Sequence, residues 1–252
     1  MHRILLTKHD YDQSFNIIKK LIEDNPNDFE NNYLLEMFYI KIGMPHDAIK
    51  YATRAIELNP LFSDVYHDRA VSYRTIGDKE NSIHDLRLCL SLQPEAIACK
   101  VCFAYHLLWI NDLQNADRHI AELEQRINPE KSPQTTIPRF YDNVKFPRAL
   151  YFAKLGRKDQ ALSIAENAGV YAELGMAHEA VQSLQEYIKT DKYSVSYEAL
   201  SGAPHYERIR NDPEFLLCNC YTLKKHFPML YHLLKEHPVN LIKEPAPPVV
   251  RP

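Results

Sequence analysis

Small and apolar residues return to the same place along this chain every 34 residues. Ser14, Ala48, Ser82 and Ala116 form one such series, Ile18, Ala52, Leu86 and Ile120 a second, and Leu21, Ala55, Cys89 and Leu123 a third. Pro26, Pro60 and Pro94 keep the same interval. Self-similarity at a fixed period of this length means one supersecondary unit stacked on copies of itself. Within a unit, Leu35 and Tyr39 fall on one stripe and Ala48, Ala52, Ala55 and Leu58 on another, each at helical steps on either side of Gly43. Gly43 and Gly77 come just past the last apolar residue of the first helix, where a left-handed backbone favours glycine, and Pro60 and Pro94 close the second. The pattern predicts helix, turn, helix. The alanine side of each second helix is narrow enough for the first helices of the same and the next unit to approach closely.

The runs NNYLLEMFYIKIGMPHDAIKYATRAIELNP and VYHDRAVSYRTIGDKENSIHDLRLCLSLQP resemble tetratricopeptide repeats. The resemblance is closest over 29–96. It reaches back to Met1, where Tyr11, Ser14, Ile18, Leu21 and Pro26 match a second helix whose first helix is cut short, and forward through 97–130, where Ala104, Ala116, Ile120 and Leu123 match and Pro129 arrives one residue late. Glu36 stands where the family prefers a small residue and Arg69 where it prefers a large apolar one. The resemblance implies an all-α fold: a right-handed superhelical solenoid of antiparallel helix pairs with a C-terminal capping helical segment.

Downstream, Ala149, Phe152, Gly156, Ala161, Ala165 and Ala168 restart the pattern after a stretch containing Pro129, Pro133 and Pro138, so a fifth copy is expected. Gly175, Ala180, Leu184 and Tyr187 repeat that spacing only 19 residues later, which predicts a long helix after Gly156 with neighbours on both sides. The segment YEALSGAPHYERIRNDPEFLL resembles the closing stretch that often follows such repeats in bacterial regulatory and signalling proteins. Leu223, Phe227, Leu230, Tyr231, Leu233 and Leu234 give a further helix a broad apolar face, suited to capping the array or, as the alternative, to self-association. The expected organisation is an array over 1–130, a proline-containing loop over 131–142, further repeat-like helices over 143–194, capping helices over 195–237 and an extended proline-rich tail over 238–252.

Charge and chemistry narrow the function. A net charge of -3 leaves no basic excess to neutralise phosphates, so nucleic acid is not an expected partner. No stretch of about 18 apolar residues and no secretory start occurs, which reads as a cytoplasmic chain without membrane contact. The 5 cysteines, Cys89 among them, suit reduced thiols acting as small hydrophobes. Cys99 and Cys102 have a CxxC spacing, but a second pair at matching distance is absent and both fall within a repeat helix, so no metal is expected. His-Asp dipeptides at His9-Asp10, His46-Asp47, His67-Asp68 and His84-Asp85 are spread over successive helices and read as solvated helix ends rather than a phosphohydrolase site. No phosphate-cradling loop, nucleophile elbow or HExxH is present, so neither a catalytic residue nor a cofactor is expected.

What stacked helix pairs offer is a groove lined by the first helices. With Leu35 and Tyr39 packed inward, the stripe Tyr33, Met37, Ile40 faces that groove, and its equivalents are His67, Val71, Arg74 and Val101, Tyr105, Leu108, with Trp109 at the edge. The other reading is that these side chains are covered by the next helices or by the tail. The family's carboxylate clamp for chaperone C-termini needs lysine, asparagine and arginine on these stripes, and Tyr33, Met37, His67 and Val71 do not supply them. The expected function is a non-enzymatic scaffold or adaptor that binds a protein or peptide ligand through this face. The alternative is a C-terminal sensory or regulatory module of a larger bacterial signalling or transcription-regulatory protein. Oligomeric state is left open.

Overall fold

The computed structural model describes residues 11–42, 44–126, 138–189 and 204–216. Among them the chain is helical and without strands. Helix α1 (Tyr11–Asp24) is followed by the pairs α2 (Phe29–Ile42) and α3 (Pro45–Leu58), α4 (Ser63–Thr75) and α5 (Lys79–Leu92), and α6 (Ile97–Trp109) and α7 (Leu113–Arg126). Next come α8 (Pro138–Lys154), the short α9 (Lys158–Ile164) and α10 (Ala168–Glu173), α11 (Ala177–Lys189) and a 3₁₀ turn over Pro204–Ile209. Each second helix packs on the first helix of its own pair and on that of the next, and the first helices α2, α4, α6 and α8 stand side by side. The molecule is an all-α solenoid of helix pairs.

The residues of the three 34-residue series are what the pairs close around. Ala48, Ala52, Ala55, Ala116, Ile18 and Ile120 are fully buried, as are Leu86, Cys89 and Leu123 to within a few per cent. A side chain no larger than alanine at 48, 52, 55 and 116 lets neighbouring backbones approach, and the loss of a methyl or its enlargement is felt in so close a packing.

One turn recurs at the ends of α2, α4, α6, α8 and α10. An amide two or three residues past the helix donates to a carbonyl five residues back: Met44 to Tyr39 (2.8 Å), Asp78 to Tyr73 (2.9 Å), Asp112 to Leu107 (2.9 Å), Arg157 to Phe152 (2.9 Å) and Met176 to Tyr171 (2.8 Å). The residue before each of the last four lies in the left-handed region, with φ of 84° at Gly77, 61° at Asn111, 72° at Gly156 and 75° at Gly175. This is the Schellman arrangement, and glycine or asparagine is what it favours. Asn111→Gly should therefore be neutral in urea denaturation, whereas Asn111→Ala should cost about 1 kcal/mol. Gly43 lies outside the described residues.

Three features depart from the sequence reading. The chain after Gly156 is not one long helix, because α9 stops at Ile164 and Asn167 opens α10 in extended backbone, its Oδ1 accepting from the Val170 amide at 3.1 Å. An asparagine able to cap its own helix start competes with continuing the preceding one. The helix that begins at Pro138 occupies residues assigned to the loop and runs through Pro147; proline is well tolerated at a first helical position. Cys89 and Cys99 are joined in a disulfide rather than kept as separate thiols, since α5 and α6 bring their Cα atoms to 6.4 Å. The start of the first repeat, Pro129 and Pro133, the C-terminal helix and the proline-rich tail lie outside the described residues.

Arg69, which replaces a large apolar residue, has brought its own partner. Its Nε and Nη2 donate to the two carboxylate oxygens of Asp85 at 2.7 and 2.9 Å, and Nη1 donates to Thr53 Oγ1 at 3.0 Å. The guanidinium lies between the rings of Tyr66 and Tyr73, at 5.9 and 5.8 Å. Asp85 is 1% exposed in the middle of α5, so His84-Asp85 is not a solvated helix end. Neither is His67-Asp68, which lies within α4; His46-Asp47 does sit in the first turn of α3.

Candidate functional site

The four first helices place equivalent side chains at fixed distances before their turns. Ten, six and three residues before positions 43, 77, 111 and 156 stand Tyr33, Met37 and Ile40 on α2, His67, Val71 and Arg74 on α4, Val101, Tyr105 and Leu108 on α6, and Phe146, Leu150 and Ala153 on α8. Helical geometry puts each trio on one stripe.

These stripes are not equally open. Tyr33, Met37, Ile40, His67, Val71, Arg74, Tyr105 and Trp109 keep part of their surface exposed. Val101 and Leu108 do not: at 7% and 2% exposed they belong to the core that α6, α7 and α8 share, so for these two the reading that later helices cover them is the correct one. Tyr33 is half covered, stacked on Phe29 and edge-on to Phe62 with centroids 6.0 and 5.3 Å away. Trp109 lies at the end of its helix, with Lys79 Nζ 5.1 Å above its ring and His106 edge-on at 5.8 Å.

The middle of the face is the most developed part. Arg74 stacks over the Tyr105 ring at 5.7 Å, Tyr105 meets Phe146 edge-on at 5.7 Å, and Phe146 meets His205 of the 3₁₀ turn edge-on at 5.6 Å. Gly169 makes room for this row, because a Cβ there would come within 2.5 Å of the Phe146 ring. Burial, and then the charges of Arg74, Lys154 and Arg210, push His205 down to about 3, so the row is an uncharged aromatic strip bordered by cations at neutral pH. Burial likewise pushes the Tyr105 phenol far above its ordinary range.

Beside Arg74 lies a polar cluster. His67 Nδ1 is 2.8 Å from Asp68 Oδ1, and His67 Nε2 is 3.2 Å from the sulfur of Cys102 on α6. Burial disfavours the charged imidazole, but the Cys102 sulfur and the Asp68 carboxylate outweigh it and hold His67 well above its usual value. Burial also disfavours the thiolate, yet His67 and then Arg74 hold Cys102 below the usual thiol range.

The sequence stripes thus locate α2, α4 and α6 but miss Phe146, Cys102 and His205. For Phe146 a signal exists: counting back from Gly156, instead of forward on the 34-residue grid, makes it the equivalent of Tyr33 and His67. Nothing in the sequence places His205 here. Among the described residues no three metal-ligating side chains converge, and no helix is long and apolar enough to cross a membrane.

Comparison with known proteins agrees with this architecture. Residues 63–95 match the tetratricopeptide repeat family. A search of curated proteins finds no match. Among solved structures the chain is similar to the MamA protein, with a TM-score of 0.50 and 17% identity over 77% of this chain and 94% of that one. It is also similar to a chain of the APC/C hetero-tetramer Cut9–Hcn1, with a TM-score of 0.55 and 13% identity over 93% of this chain and 47% of that one, so it spans just under half of that relative. At such identities these likenesses speak to the fold. Together with the period, the five matching turns and the nested helix pairs, they show that the chain has the fold of stacked tetratricopeptide repeats, with residues 63–95 matching one such repeat.

Proposed function

We propose that the chain is a non-enzymatic interaction scaffold that takes a partner peptide or helix, of mixed aromatic and aliphatic character, on the face formed by its first helices. The observation that carries this reading is the run of partly exposed Met37, Val71, Arg74 and Tyr105 on three adjacent helices, beside the buried Val101 and Leu108 of α6. Aromatic and arginine side chains are the residues from which binding anchors are made. The stripes lack the cluster of lysine, asparagine and arginine that would hold a free acidic C-terminus. The similarity to a subunit of a multiprotein assembly, the APC/C hetero-tetramer Cut9–Hcn1, supports a protein partner.

The test is affinity capture from the source cell with the wild-type chain and with Met37, Val71 and Tyr105 changed to alanine. Truncation of central anchors should weaken a genuine partner about 30-fold or more and remove it from the eluate. Arg118→Ala with Gln125→Ala, both exposed on α7, should leave capture unchanged. The reverse pattern would overturn the proposal.

A further inference from the structure

We propose that Cys102 is a reactive thiol, activated by His67 and Asp68 across the α4–α6 contact, that exchanges with low-molecular-weight disulfides to carry a reversible mixed disulfide on the groove face. The inference rests on this cluster alone and stands whether or not a peptide occupies the groove.

Three side chains from two helices converge here in the order carboxylate, imidazole, sulfur, at 2.8 and 3.2 Å. The carboxylate on Nδ1 fixes which way the ring faces and leaves Nε2 aimed at the sulfur, which is the geometry that activates a cysteine nucleophile. The neighbours complete the electrostatics: Arg74 of α4 acts on the same sulfur, and Tyr105 of α6, its phenol held neutral, adds no competing anion. Cys99, three residues earlier, is turned toward α5 and joined to Cys89, and among the described residues Cys102 is a free thiol. Its surface is partly exposed, and so are His67 and Asp68, at 21% and 23% of their side chains. A structural role does not require this: a cysteine that merely fills space is inert when buried among apolar groups, whereas low-pKa thiols lie beside cations with access to solvent.

The chemistry balances without a further oxidant. The Cys102 thiolate attacks one sulfur of the incoming disulfide, the bond between the two incoming sulfurs breaks, and the departing thiolate takes the proton held on His67. The products are a mixed disulfide on Cys102, one free small thiol and a neutral imidazole; the Cys102 sulfur is oxidised and the leaving sulfur reduced.

The test uses the full chain and reads Cys102 by peptide-resolved mass spectrometry, which separates it from the other cysteines. Alkylation by iodoacetamide is followed from about pH 5.5 to 9.5, and glutathione disulfide is the exchange probe. The wild-type Cys102 rate should reach half its plateau below the ordinary thiol value of about 8.5. His67→Gln should return it toward that value and slow labelling at pH 6.5 about tenfold, with Asp68→Asn between the two. Glutathione disulfide should add one glutathionyl group at Cys102. An ordinary wild-type titration, a labelling rate indifferent to His67→Gln in a variant with native circular dichroism, or no adduct at Cys102 would each overturn the proposal. If His67→Gln does not fold, the wild-type pH profile and the adduct decide it.

Discussion

Asp85→Ala should destabilise the protein by about 3 kcal/mol, the largest effect expected of any single charge removal among the described residues. The reason is asymmetry. The pair is bidentate at 2.7 and 2.9 Å, Asp85 is 1% exposed, and loss of the carboxylate strands the Arg69 guanidinium between Tyr66, Tyr73 and Thr53. Breaking a buried pair costs about 3–5 kcal/mol, and the 14% exposure of the Arg69 side chain places this case at the lower end because water can reach part of the cation. Removing both partners is a different matter. Arg69→Leu combined with Asp85→Leu puts an apolar side chain where the repeat family prefers one, and should recover most of the loss in urea denaturation, in line with the near-neutral exchange of buried pairs for apolar residues. A double variant as unstable as the single one would show that the pair does more than satisfy itself, for instance by holding α3, α4 and α5 in register through Thr53.

The second large effect is with pH. Burial, and then the charges of Arg74, Arg87 and Lys79, push His106 down to about 4, and its Nδ1 has no hydrogen-bond partner. A histidine whose folded value lies below its unfolded value takes up its proton in the unfolded chain first, so stability is full above about pH 6.5 and is lost as pH falls toward the folded value. For His106 the loss between pH 7 and pH 5 is about 2 kcal/mol. His205, pushed down to about 3, adds a loss of the same sign. His67 acts in the opposite direction: its raised value means its contribution is in place below about pH 6.5 and fades only as pH climbs through the folded value. Urea midpoints at pH 7 and pH 5 should therefore differ clearly, and His106→Phe, which keeps an aromatic ring against Trp109, should shrink the difference by about 2 kcal/mol. An unchanged difference in His106→Phe would assign the acid loss elsewhere.

Much of the architecture was readable because close packing of helix pairs leaves a periodic trace. The alanine series, the glycines at 43 and 77 and the prolines at 60 and 94 each answer one steric demand, repeated at one interval. Where the trace failed, a different residue met the same demand. Asn111 occupies the left-handed position of its turn, one grid step beyond Gly77, and asparagine tolerates that backbone. The break between α9 and α10 escaped notice because Ala165 and Ala168 keep helical spacing across it, whereas the capping bond of Asn167 that stops the helix depends on one side-chain oxygen.

The site was less legible than the fold. The stripes on α2, α4 and α6 follow from helical geometry, but whether a stripe is open depends on the element laid over it. Val101 and Leu108 carry the same pattern as His67 and Arg74 and are buried because α8 packs against α6. Arg69 was visible as a departure, but its partner Asp85 was hidden in a dipeptide that reads as surface. The His67–Cys102 contact joins residues 35 apart on neighbouring helices, and no local motif announces it.

Site-specific photocrosslinking tests the central claim most directly. A photoreactive amino acid is placed in turn at Val71 and Tyr105 on the first helices and at Arg118 and Gln125 on the exposed side of α7, and each variant is irradiated in the source cell. The account predicts one shared covalent partner at Val71 and Tyr105 and none at Arg118 or Gln125. A partner captured from α7, with Val71 and Tyr105 silent, would contradict it.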